Sequence, residues 1–82
     1  MIAYPWDAGT ACGVTYDRQR SQRAAAGVLR AGKADEAVVT EVSAHLGTVT
    51  LVSGFLPTGN QWRGRLRSDG PWVRWRQDRN AR

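Results

Sequence analysis

The sequence predicts a small α+β domain: two N-terminal helices packed on a three-stranded antiparallel β-meander, with an extra N-terminal strand as an option. Three observations carry this expectation. Between residues 17 and 46, apolar side chains recur at spacings of three and four, the period of a helix face. From Thr48 the period changes to two, the alternation of a half-buried strand. Ser68-Asp69-Gly70-Pro71 then separates two alternating segments, and Asp-Gly between such segments is a hairpin signal. The 82 residues make one domain with a small core, to which a second copy in a homodimer would add buried area.

Residues 1–16 read as a short strand or irregular arm. Tyr4, Trp6, Val14 and Tyr16 alternate there with the breakers Pro5, Asp7, Gly9 and Gly13. Residues 17–31 read as a helix, capped by Asp17 and closed by Gly32, with Ala25, Val28 and Leu29 on its apolar face. Arg20, Arg23 and Arg30 fall within about 80° of one another on the opposite side, a secondary basic stripe. Gly27 lowers helix propensity by about 1 kcal/mol, which suggests close approach by another backbone. A second helix is expected over 35–46, capped by Asp35 with Val38, Val39, Val42 and Leu46 as its buried stripe. The short Gly32-Lys33-Ala34 connection makes residues 17–46 a helical hairpin. The meander then spans 48–77: a strand over Thr48–Leu56, a turn at Pro57-Thr58-Gly59-Asn60, and strands over Gln61–Arg67 and Trp72–Gln77. Residues 78–82 form a basic tail.

Charge is distributed unevenly along the chain. Residues 1–60 carry five basic and five acidic side chains, whereas residues 61–82 carry seven arginines against Asp69 and Asp78, which accounts for the whole net charge of +5. Pairing across Asp69-Gly70 sets Arg65 opposite Arg74 and Arg63 opposite Arg76. Alternation then assigns Trp62, Gly64, Leu66, Val73 and Trp75 to a buried face. The other face holds Arg63, Arg65, Arg67, Trp72, Arg74 and Arg76, with no acidic residue interleaved along the hairpin strands. Like charges directly opposite one another destabilise a sheet, and an anion lying across them relieves the repulsion. Trp72 among the arginines suits stacking on a base or a guanidinium. These six residues are therefore the candidate binding site, for nucleic acid through backbone contacts, DNA slightly ahead of RNA. The rival partner is an acidic protein surface, docked by a small inhibitor or interaction module.

Other chemistries lack the residues they need. The single Cys12 cannot pair internally and reads as a small buried hydrophobe, and His45 reads as a helix-capping or half-buried side chain. Nucleophile motifs, glycine-rich phosphate loops and metal-ligand clusters are absent from the sequence, so no cofactor, metal or catalytic residue is expected. There is neither a signal peptide nor an apolar run of about 20 residues, which predicts a cytoplasmic protein that does not enter membranes.

Arg65-Leu66-Arg67-Ser68-Asp69-Gly70, together with the expected order of elements, resembles the RelE/ParE toxin superfamily over about twenty residues. That resemblance implies a small ribonuclease working through arginine and tyrosine, although the strand that follows the hairpin in that family has no counterpart before Arg82. A winged-helix domain also places a basic hairpin after helices. Here the expected helix 35–46 carries Asp35, Glu36 and Glu41 without Arg or Lys, unlike a major-groove reader.

Overall fold

The computed structural model describes residues 2–44 and 55–79. It is mostly β: one helix lies on one face of a five-stranded antiparallel sheet. In chain order the elements are β1 (Ile2–Ala8), β2 (Ala11–Thr15), α1 (Arg18–Arg30), β3 (Glu36–Ala44), β4 (Phe55–Leu66) and β5 (Val73–Arg79). The strands lie in the order β2-β1-β3-β4-β5. The two helices on a three-stranded meander that the sequence predicts are therefore replaced by one helix on five strands.

In place of the expected short strand or irregular arm, β1 and β2 form a hairpin. Ala8 and Ala11 pair across Gly9-Thr10, Gly9 takes a positive φ of 75°, and its N–H donates to Asp7 Oδ1 at 2.9 Å. Glycine in the first loop position is what a two-residue hairpin turn of this kind requires. The first helix forms where the sequence places it. Asp17 caps it by accepting from the Gln19 N–H. Its end is a Schellman motif, with Lys33 N–H donating to Val28 O, Gly32 N–H to Leu29 O, and Gly32 at φ 73°. Among the described residues nothing lies where a Gly27 side chain would project, so the expected close approach of another backbone is not seen there.

Residues 36–44 form a strand and not the expected helix, so residues 17–46 are no helical hairpin. The spacing of Val38, Val39, Val42 and Leu46 suits a helix face. The same segment also alternates, with Ala37 and Val39 facing the helix and Glu36, Val38 and Thr40 facing away. Three valines and Thr40 within this segment are β-branched and favour the pleated surface. Partners on both sides, β1 and β4, decide the matter by pairing most of the backbone that a helix would have bonded internally.

Pro57-Thr58-Gly59-Asn60 is likewise no turn but part of β4. The pairing shifts from Thr40↔Gln61 to Val42↔Pro57, so Thr58, Gly59 and Asn60 bulge against the single residue Glu41, with Gly59 at φ 103°. A bulge uses the same proline and glycine chemistry as a turn, which is why the two look alike in the sequence. Most of the strand expected over Thr48–Leu56, and His45, lie outside the described residues.

The core is narrow and built from small side chains. Ala8, Ala25, Leu29 and Ala37 are buried together, and Trp6, Val28, Ala34, Val73 and Trp75 pack against them. Alanines on helix and sheet bring α1 close over β1 and β3. One helix cannot cover five strands, and tryptophans on the same face cover the flanks. Trp6 lies over Gly13 of β2 and Trp75 over Gly64 of β4; a Cβ on either glycine would meet the indole at 2.9 Å and 2.7 Å. Ser21 is fully buried and satisfied, its hydroxyl donating to the Tyr4 carbonyl and touching Thr15 Oγ1.

Candidate functional site

The β4–β5 register is the one the sequence predicts. Arg63 faces Arg76, Gly64 faces Trp75, Arg65 faces Arg74 and Leu66 faces Val73. Because Gly64, Val73 and Trp75 are turned toward the helix layer, alternation turns the four arginines to the other face. There they line a shallow trough of about 630 Å³ with Glu36 and Asp78.

These two carboxylates change the electrostatics expected from the hairpin alone. Glu36 on β3 reaches across to β4 and forks between two arginines, with Oε1 3.2 Å from Arg63 Nη1 and Oε2 3.2 Å from Arg65 Nε. Asp78 Oδ2 lies 3.5 Å from Arg63 Nε. The face is therefore not free of acid: four guanidinium groups meet two carboxylates, a surplus of two positive charges. The difference has two causes: the segment expected as a helix is the strand β3 beside β4, and β5 runs past Gln77 through Asp78, which the sequence assigns to the tail. Arg74 and Arg76 have no ion-pair partner among the described residues. Such exposed pairs contribute about 0.2–1 kcal/mol each, so a stronger anion can compete for their arginines.

The remaining predicted residues lie at the hairpin tip. Arg67 is tied to Asp69 by two bonds of 3.1 Å, and its N–H donates to the Trp72 carbonyl at 2.8 Å. Trp72 is 66% exposed, its indole leaning over Gly70. Replacing Trp72 with alanine is expected to leave the melting temperature within a few degrees of wild type, measured by thermal circular dichroism. The secondary stripe is separate from this site. Ser21, Ala25, Ala26 and Leu29 face the sheet, which leaves Arg20, Arg23 and Arg30 exposed on the outer side of α1, across the molecule from the sheet arginines.

A second polar cluster sits on the helix side, and nothing in the sequence pattern singled it out. Glu41 Oε1 accepts from Thr58 Oγ1 at 2.6 Å and from Asn60 Nδ2 at 3.1 Å, and Tyr4 OH donates to Oε2 at 3.2 Å. Beside it Arg18 lies over the Trp62 ring, 5.1 Å from the centroid. The hydrogen bonds from Thr58 and Asn60 hold the Glu41 carboxyl below its ordinary range. Burial, then the Glu41 charge, raises the Tyr4 phenol. This carboxylate stitches the β4 bulge to β3, which accounts for it structurally. Because the folded state favours its ionised form, its stabilisation is present above the ordinary carboxylate range and lost as pH falls through the lowered value. Denaturant midpoints measured from neutral to acidic pH should therefore fall less steeply in Glu41→Gln than in wild type. A parallel fall in the two proteins would remove Glu41 from that role.

Cys12 is exposed on edge strand β2 and is not the buried hydrophobe expected. No helix of the described residues is long and apolar enough to cross a membrane. No family model, curated protein or solved structure matches the chain significantly.

Proposed function

We propose that this protein binds nucleic acid through the open face of its β4–β5 hairpin, with contacts dominated by the phosphate backbone. The observation that supports this most strongly is the two pairs of directly opposed arginines, Arg63–Arg76 and Arg65–Arg74, on a sheet face away from the helix layer. Opposed like charges cost the fold stability, and a phosphate placed between them turns that cost into attraction. Successive outward residues on a strand stand about 6.8 Å apart, so the four guanidinium groups form a compact patch that an extended polyanion can follow.

Duplex DNA is the favoured ligand. Sequence preference should be weak, because phosphate contacts carry no base information. Trp72, exposed at the tip, can stack on an unpaired base and would add single-strand affinity of about 1–3 kcal/mol. The test is fluorescence anisotropy with labelled duplexes and single strands of several sequences. Dissociation constants of about 10⁻⁴ M or tighter that vary little with sequence are expected. Failure to bind either form at about 50 mM salt would end the proposal.

An acidic protein surface remains the alternative ligand for the same face, since the arginine fork serves carboxylates as well as phosphates. Capture from lysate with and without nuclease separates the two: partners lost on nuclease treatment support nucleic acid. Partners that survive it, but are lost on reversing Arg65 and Arg74 to Glu, support the alternative.

A further inference from the structure

We infer that the molecule has two nucleic-acid-binding faces on opposite sides and bridges two separate segments. The inference rests on the reading of the sheet face given above and adds a second site, the outer face of α1. That helix runs from Arg18 to Arg30 without an acidic residue. Arg20, Arg23 and Arg30 stand exposed on its outer side, and none has an ion-pair partner among the described residues. Their surplus of three positive charges exceeds the two on the sheet face, where Glu36 and Asp78 offset half of the arginines.

The layer order keeps the faces apart. The buried side of α1 rests on Ala8 and Ala37, which share the sheet's inner face with Gly64 and Trp75, while Arg63, Arg65, Arg74 and Arg76 project from the outer one. A polyanion on one face therefore leaves the other free. The occupant is set by charge complementarity: three unpaired guanidinium groups along a helix suit a second stretch of phosphate backbone. A rigid duplex, with a persistence length of about 150 base pairs, cannot wrap so small a protein to reach both faces, so the second segment must be another duplex or a distant part of a long one.

The test is a sandwich capture with short duplexes. A biotinylated duplex is fixed to beads, protein is added in steps, and retention of a second, fluorescent duplex is read. Wild-type protein should carry the second duplex at intermediate protein concentration and release it at excess, when each duplex is saturated separately. The R20Q/R23Q/R30Q variant, its folding checked by circular dichroism, should bind a single duplex by anisotropy yet retain less than about a tenth of the second, equivalent to losing about 1.4 kcal/mol of coupling. Wild-type protein that binds single duplexes but never retains a second would overturn the inference while leaving the sheet-face reading intact. Retention by the triple variant equal to wild type would also overturn it, since bridging would then come from pairing of protein copies. Absence of binding to any duplex would end both.

Discussion

Trp62→Ala is expected to cost about 3–5 kcal/mol, a large fraction of the 5–15 kcal/mol that typically holds a domain together. Trp62 is 7% exposed, on β4 beside Val39, where the bulge begins. Its ring meets Tyr4 with centroids 6.2 Å apart, and Arg18 lies over it. Removing the indole empties the centre of the sheet's inner face and loosens the helix start and the Tyr4–Glu41 cluster together. Urea unfolding followed by circular dichroism should show a much lower midpoint or no folded baseline. Trp75→Ala should follow in the same direction, because its indole fills the space above Gly64. A Trp62→Ala protein as stable as wild type, beside a Trp72→Ala protein that unfolds, would show the faces of the hairpin reversed.

Arg74→Glu with Arg76→Glu is expected to separate binding from folding. Both arginines are exposed and have no ion pair among the described residues, so their loss removes no stabilising contact seen there. Each new carboxylate stands opposite an arginine that already holds an acid, Arg65 with Glu36 and Arg63 with Glu36 and Asp78, so the face passes from a surplus of two positive charges to a surplus of two negative ones. Thermal stability should stay close to wild type, because the reversal exchanges one small charge surplus for another of the opposite sign. Duplex affinity of the sheet face, read in the R20Q/R23Q/R30Q background so that α1 does not contribute, should nevertheless fall about a hundredfold or more, from two lost charge-assisted contacts and the repulsion added by reversal. Arg67→Ala should weaken binding less, because Asp69 already holds that guanidinium at the tip. Unchanged affinity in the double variant, measured by anisotropy, would place the binding surface elsewhere.

How much was legible in the sequence follows from how local each signal is. The cap of α1, its Gly32 ending and the β4–β5 register depend on residues within a few positions of one another, and all three formed as expected. The glycine at 64 opposite Trp75 was legible for the same reason. Residues 36–44 were not, because a valine-rich segment with both periodicities is settled by its neighbours, and β1 contributes from more than thirty residues away. Losing β3 hid the two facts that shape the site most. Glu36 became invisible as the partner of Arg63 and Arg65, and Glu41 as the clasp of the bulge. Read as a strand, Glu36-Ala37-Val38-Val39-Thr40 would have put the acid on the arginine face by alternation alone.

The most direct test of the arginine face is the salt dependence of duplex binding in the R20Q/R23Q/R30Q protein, which leaves the sheet face alone, with and without Glu36→Gln. Four arginine–phosphate contacts correspond to a log–log slope of about −3.6, and two contacts to about −1.8. Glu36 occupies Arg63 and Arg65 in the free protein, so the slope with Glu36 in place should fall between these values. Removing the carboxylate should free both arginines, tighten binding by roughly tenfold at about 100 mM salt and bring the slope toward the steeper value. Affinity and slope identical in the two proteins, or binding that does not respond to salt, would contradict phosphate recognition by this face.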